Sequence, residues 1–553
     1  MVGVSNRRFA ASGGLQNLLI FLLLLLAVLI VLGQANPFTT RLGRDSGMYA
    51  YIGSHVLRGE TPYVSAWDHK PPAIFFIDAL GLWFGGGTRW GLWAIELAFL
   101  LGAAIAGFSA LSRSYGLGPA LLASIVWLLG LSLVLEGGNL TEEYALLFSF
   151  ASIWLFTRIW QRPDSVLLHA TLGLVFGCAF LTRPNNAGVP AAIILAEILL
   201  FFLKQPVSRA PDGGLAPMES SLDRAPARSP GPPRTRTDGR RTLCIRLATG
   251  FGFLVPLVAT TLYFVARNAF QDFLDAAFIY NLSYGGQPAP IESLLSGIRN
   301  LGFAAGIGLV GMWFAFDRLR LQVRERPIDP LILWLCLDFV IEIMLSGLSG
   351  LNYPHYFISW LPWIAFAAGL LFSRVAGGFA SWVHRYQAPV VLGVMVILAA
   401  ASLGTLQGYA QAFAQLVNDR AKAQEFEQLP AYVNEHTKPD QTVLVWGGDA
   451  AINFLARRNA PTAHFQYGIL VPSAITDRIS AQFYRDISAH PPAMILDESD
   501  QGLPPLSIPD PISWSAAHNL YAPPYLQQFF DFVHTSYAYK TSVTGVGIYE
   551  LSR

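Results

Sequence analysis

Four polar strings interrupt an otherwise apolar sequence, and each carries side chains able to grip a phosphate or take a proton. The longest, RDSGMYAYIGSHVLRGETPYVSAWDHKPP at 44–72, gathers Asp45, His55, Glu60, Asp68, His69 and Lys70 directly after an apolar run. Asp45 opens an amphipathic helix expected at Ser46–Leu57, where an acid serves either as a cap or as a carboxylate at a cavity mouth. In the second role it takes a proton from a hydroxyl or holds a divalent cation. Lys70 precedes two prolines that fix the backbone, so its cation stands at a rigid corner: a lysine snorkelling to headgroups or a phosphate ligand. In GGNLTEE, Glu142 and Glu143 open a further helix, where the helix dipole accounts for an acid. Charge at membrane depth is costly and usually functional, which favours Glu142 as a second site carboxylate. TRPNN offers Arg183, an interfacial arginine or a bidentate phosphate clamp. YPHY offers His355, a structural histidine or an extra donor. The stronger signal is the convergence of all these residues, Asp45, Lys70, Glu142, Arg183 and His355, on one side of the membrane.

The elements that must hold these strings follow from composition. The chain has 553 residues, 53% hydrophobic and 13% charged, with mean hydropathy +0.43. A soluble domain carries about 25% charged residues, so this is a membrane protein. A net charge of +1 offers nothing to nucleic acid. Cys178, Cys244 and Cys336 fall in apolar runs and read as small buried hydrophobes. Runs of spanning length lie at 15–33, 91–112, 117–135, 143–160, 166–182, 187–203, 243–267, 298–316, 330–348, 355–373 and 387–407, about eleven transmembrane helices. The first lacks the short h-region and cleavage site of a signal peptide and reads as an uncleaved anchor with a cytoplasmic N-terminus. Loop charge agrees: the segment 204–242 holds eight Lys and Arg against four Asp and Glu, as the positive-inside rule requires of a cytoplasmic loop. Its Pro, Arg, Ser and Gly content predicts disorder. The first outer loop, 34–90, breaks the rule with Arg41, Arg44, Arg58, Lys70 and Arg89; an anionic ligand explains basic residues there. The organisation expected is a helical polytopic domain over 1–407 and a small extracytoplasmic α/β domain over 408–553. The latter has strands near Thr442–Trp446, Ala493–Leu496 and Val546–Tyr549, and helices near 474–488 and 525–534.

The string DSGMYAYIGSHVLRGETPYVSAWDHKPP, followed in order by GGNLTEEYALLF, FLTRPNNAGVP, YPHYFISWLPWIAFAAG and VLVWGGDAAINFLARR, resembles the bacterial GT-C membrane glycosyltransferases. It is most similar to their protein-mannosyltransferase-like group, which includes the lipid A aminoarabinose transferases. The resemblance covers nearly the whole chain. It implies a glycosyltransferase of the plasma (inner) membrane that draws on a polyprenyl-phosphate sugar and serves a lipid, glycan or protein acceptor. Asp45 matches the family's first-loop aspartate, Lys70 the lysine of its KPP string and Glu142 the second-loop acid. Arg183, His355 and Tyr356 fall where donor-phosphate contacts are expected. Tyr49, Asp68, His69 and Glu143 are expected to line the substrate pocket. Many relatives carry a second acid after the first aspartate; here it is Ser46. A metal site at Asp45 and Glu142 is weakened accordingly, a divalent cation remains possible as cofactor, and Asp45 is left as the sole base.

Two other readings compete. A transporter or flippase of polyprenyl-linked sugars predicts polar residues deep in spans on both sides; Asp338 and Glu342 lie inside one, but the polar strings gather on one face. A receptor built on 408–553 leaves the first-loop string unexplained.

Overall fold

A computed structural model describes residues 5–38, 40–203, 239–282, 289–375, 425–465, 467–499 and 502–552. Helices dominate because backbone at membrane depth must satisfy its own hydrogen bonds. They are α1 (Ser5–Val31), α2 (Arg44–Leu57), α3 (Ala73–Phe84), α4 (Arg89–Tyr115), α5 (Leu117–Leu131), α6 (Thr141–Gln161) and α7 (Val166–Thr182). After these come α8 (Gly188–Phe202), α9 (Gly239–Ala266), α10 (Phe270–Leu274), α11 (Pro290–Glu325), α12 (Pro330–Ser346) and α13 (Leu361–Val375). Among the described residues, six stretches are long and apolar enough to cross a membrane: Gly14–Ala35, Arg89–Tyr115, Pro184–Phe202, Ile245–Ala266, Pro290–Glu325 and Pro354–Val375. The chain is a multi-pass membrane protein. The first ten expected spans fall on helical structure; the eleventh, 387–407, lies outside the described residues, as does the expected loop 204–242 up to 238. One apolar helix was not expected: α3 rises from within the loop 34–90.

Local chemistry explains several boundaries. The Ser165 side chain accepts from Leu168 N to start α7, and the Asp329 side chain accepts from Leu331 N, with Pro330 next, to start α12. Between α7 and α9 the backbones touch. A Cβ on Gly173 would collide with Thr249 O, and one on Gly252 with Ala170 O, the close approach that small residues permit between membrane helices.

The C-terminal region forms α14 (Glu425–His436), β1 (Val443–Trp446), α15 (Ala450–Ala456), α16 (Thr476–Ala489), β2 (Met494–Asp497), α17 (Pro511–Ala517), α18 (Leu526–Ser536), β3 (Tyr537–Val543) and β4 (Val546–Leu551). The sheet order is β1-β2-β4-β3. β1 and β2 run parallel with Val443 opposite Met494, and β4 pairs antiparallel with both β2 and β3. This region is docked, not appended. One apolar cluster unites Met48, Tyr63, Trp67 and Phe264 with Trp446, Phe483 and Phe529. Gly47 of α2 lies so close to Ala451 of α15 that a Cβ would meet that residue's backbone.

Candidate active site

The KPP corner is held from every side. Tyr63 OH donates to Lys70 O at 2.8 Å, Lys70 N donates to Asp68 Oδ1 at 3.0 Å, and Asn281 Nδ2 donates to His69 O at 2.7 Å. Trp67 N donates to Ala463 O of the C-terminal region at 3.0 Å. Tyr63 itself is locked among Phe75, Phe264 and Phe273. With its backbone so fixed, Lys70 Nζ reaches Asp45 Oδ2 at 3.6 Å. Asp45 also accepts from Tyr49 OH, one turn on, at 3.3 Å. No side chain caps α2, whose N-cap is Gly43, so Asp45 is an ion-pair partner rather than a cap.

A second pair stands at the start of α6. Arg183 Nη1 meets Glu142 Oε1 at 2.6 Å and donates to Thr141 Oγ1 at 3.1 Å, while Thr141 Oγ1 donates to Glu142 Oε2 at 2.7 Å. The guanidinium lies over the Tyr356 ring, 4.8 Å from its centroid. His355 bridges this pair to the loop before it: its Nε2 is 3.6 Å from Glu142 Oε1, and its Nδ1 contacts Glu136. α6 too starts without a side-chain cap.

The two pairs act on each other. Burial pushes the Asp45 carboxyl up, but the charges of Lys70, His355 and His69, with the Tyr49 hydrogen bond, outweigh it and hold the group at about 2. Lys70, disfavoured as a cation by burial, is raised by Asp45, while Arg183 opposes. Its side chain is 13% exposed and that of Asp45 33%, so the pair is open at its carboxylate end. Asp45, Tyr49, Lys70, Glu142, Arg183, His355 and Tyr356 thus form one electrostatic group.

Three expected pocket residues are placed differently. Asp68, 1% exposed, braces the corner from below, its Oδ1 3.4 Å from His69 Nδ1. Burial raises its carboxyl to about 6. His69 packs against Tyr280 at 5.4 Å, and burial lowers its basicity. Glu143, 1% exposed, takes no part in the Glu142–Arg183 pair; adjacent residues on a helix point about 100° apart. The sequence reading missed Glu136, Thr141, Asp78, Glu96 and Asn139. Only the left-handed string at 136–139 hinted at the last, through its two glycines.

Among the described residues no group of three or more His, Cys, Asp or Glu is arranged to hold a metal ion. Asp45 and Glu142 each face a side-chain cation, so the residues present do not assemble a cation site. A separate cavity of about 460 Å³ is lined by Tyr63 and Trp67 of the loop with Asp272, Arg478 and Asp486, and includes none of the Asp45 group.

The fold has known counterparts. Along 94% of this chain and 96% of the other, it superposes on the crystal structure of ArnT from Cupriavidus metallidurans bound to undecaprenyl phosphate, with TM-score 0.55 and 14% identity. The apo form of that protein matches over 98% of both chains, again at 0.55 and 14%. This is the GT-C glycosyltransferase fold. A fainter likeness, TM-score 0.48, is to the oligosaccharyltransferase of Archaeoglobus fulgidus, of which 73% is covered at 14% identity. No protein-family model matches the sequence, and no curated protein matches it. On the GT-C fold, then, the chain sets its carboxylate–cation pairs on the first loop and the starts of the helices around it.

Proposed function

We propose that the chain transfers a sugar from a polyprenyl-phosphate donor to an acceptor hydroxyl at the outer face of the plasma membrane, inverting the anomeric carbon. The N-terminus is then cytoplasmic and the C-terminal region extracytoplasmic. The observation that carries this reading is the Asp45–Lys70 pair beside the Glu142–Arg183 pair. Two cations on braced backbone suit a leaving phosphate, the kind of preorganised electrostatics that dominates many rate enhancements. The undecaprenyl phosphate held by the ArnT structure of the same fold supports a lipid phosphate as ligand.

The depressed Asp45 carboxyl at first argues against a base. A carboxyl held at about 2 takes protons poorly. The ion pair resolves this. A donor phosphate competes for Lys70, and once that cation turns to the phosphate, burial is the larger remaining influence and Asp45 becomes more basic. The acceptor oxygen attacks the anomeric carbon as the glycosyl–phosphate bond breaks. Its proton passes to Asp45, and the departing phosphate stays with Lys70 and Arg183, beside His355 and Tyr356. A single displacement inverts.

The test is Asp45→Asn in proteoliposomes. Transfer is expected to fall by about 10²–10⁴-fold, while binding of undecaprenyl phosphate persists because Lys70 and Arg183 remain. Near-normal turnover by the variant overturns the assignment of the base.

A further inference from the structure

The string Trp446-Gly447-Gly448-Asp449 ends β1, leads into α15 and takes no part in the reaction. Gly447 and Gly448 have φ of 134° and 76°, backbone that glycine adopts freely, and a Cβ on Gly447 would meet the Cβ and backbone of Glu498. The turn thus sets Asp449, after β1, beside Glu498, after the parallel strand β2. The two acids are 4% and 5% exposed. Asp449 Oδ1 accepts from Ala451 N at 3.0 Å and so starts α15. Buried neighbouring carboxylates repel each other and stay ionised only beside a cation. The first outer loop supplies it. Arg41 Nη2 donates to Asp449 Oδ2 and, at 3.2 Å, to Glu498 Oε1, and Arg44 acts on Glu498 at range.

Arg41 stands three residues before α2, the helix of Asp45 and Tyr49. The C-terminal region grips that helix along one stripe. A Cβ on Gly47 would collide with Ala451. Tyr51 OH accepts from Ala460 N at 2.8 Å, and its ring meets Phe465 edge-on at 5.4 Å. At the C-cap, Arg58 Nη2 donates to Asn459 Oδ1 at 3.3 Å. Spacings of four and seven residues put 47, 51 and 58 on one face. Asp45 and Tyr49 come two places before Gly47 and Tyr51, about 160° round the helix at 3.6 residues per turn. The C-terminal region therefore backs the helix whose opposite face carries the base.

We propose that Asp449, with Glu498 beside it, captures Arg41 and so fixes the start and rotation of α2, holding Asp45 opposite Lys70. Arg41 and Asp449 are then positioning residues, and the C-terminal region is a working part of the site. This rests on the reading of the Asp45 group as the transferase site.

Two readouts separate the proposal from that reading. In the full chain in detergent, the amides of Ser46–Tyr51 are expected to exchange hydrogen at least about tenfold faster in Arg41→Met than in wild type; this needs no turnover. In transfer assays Arg41→Met is expected to lower kcat by about 10²-fold, the cost of a small misplacement of reacting groups. Undecaprenyl phosphate affinity is expected within about twofold of wild type, because Lys70 and Arg183 are untouched. Arg41→Lys, which keeps a cation for Asp449, is expected within about fivefold of wild type in kcat. Asp449→Asn keeps the oxygen that caps α15 but loses the charge; its kcat is expected about tenfold lower. Adding it to Arg41→Met lowers kcat by no more than about a further twofold, since both changes break one contact. If Arg41→Met fails to fold, Asp449→Asn takes its place in both readouts. Unchanged exchange over α2, an unchanged kcat, or Arg41→Lys as impaired as Arg41→Met overturns the proposal. If α2 exchanges faster in the variant while wild type transfers sugar to no acceptor, the Arg41 link stands and the transferase reading falls.

Discussion

Two sets of carboxylates sit within one helix turn of each other and live by different rules. Asp45 and Glu142 each meet a cation, Lys70 at 3.6 Å and Arg183 at 2.6 Å. Asp78 and Glu96 instead accept hydrogen bonds from Asn139, and Glu143 is buried beside Glu142. A carboxylate compensated by a cation stays ionised under burial, and any ligand that claims the cation changes it. A carboxyl that meets only neutral donors has no such handle. The first arrangement suits chemistry, the second architecture, and the Glu142–Glu143 neighbours show how one step along a helix separates them.

Substitutions that strike the two sets differently sharpen this contrast. The double change Lys70→Met, Arg183→Met strips both cations from the front set; transfer is expected to drop by at least about 10³-fold, the scale of losing preorganised charge stabilisation. Steady-state kinetics on folded protein check it, and a loss under tenfold breaks the assignment of phosphate ligands. Tyr63→Phe removes the donor to Lys70 O and frees the corner. The lost hydrogen bond costs about 1 kcal/mol, and kcat is expected several-fold lower with the melting temperature nearly kept.

The ion pair also predicts a pH window. Asp45 falls from 3.8 to about 2 on folding, a depressed acid, so its contribution is present above about pH 4 and lost as pH falls toward 2. Thermal melts of wild type and Asp45→Asn, Lys70→Met should converge over that range; a constant offset contradicts the pair. In the rear set, Asp78→Asn keeps an acceptor near Asn139 and removes no needed charge. Transfer within about threefold of wild type is expected, and a large loss would blur the distinction drawn here.

The smallest effect lies farther off. Glu498, 5% exposed and beside Asp449, is pushed up to about 7 by burial and by that neighbour, against the pull of Arg41. A raised acid weakens the fold as pH climbs from about 4.5 to 7. Glu498→Gln is therefore expected to raise the melting temperature at pH 8 and to leave it unchanged at pH 4.

Much of this was legible in the sequence where one residue type sat in one local context. The strands at 443–446, 494–497 and 546–551 stood out as short apolar runs between turns, and helices 476–489 and 526–536 by their apolar period. β3 escaped notice because Tyr537–Val543 is an edge strand, exposed at most of its positions, which blunts the alternation. α3 was folded into the polar loop because its twelve residues, too few to span a bilayer, lie between the charged string DHKPP and the turn GGGTRW. Asp45, Lys70, Glu142, Arg183, His355 and Tyr356 were read singly, from prolines, helix starts and loop charge, and the structure brings them together. The rear cluster was invisible for the opposite reason: Asp78, Glu96 and Glu143 sit on three helices, and no local pattern announces a three-helix contact. Of the neighbours Glu142 and Glu143 the sequence favoured Glu142, and it is Glu142 that meets Arg183.

One measurement bears on the central claim most directly. Purified chain in proteoliposomes is given radiolabelled polyprenyl-phosphate sugars with candidate acceptors, and the label is followed by position and linkage. The account predicts label covalently joined to an acceptor, in the anomeric configuration opposite to the donor's. Label that crosses the bilayer still attached to its polyprenyl phosphate, with no acceptor modified, would contradict it.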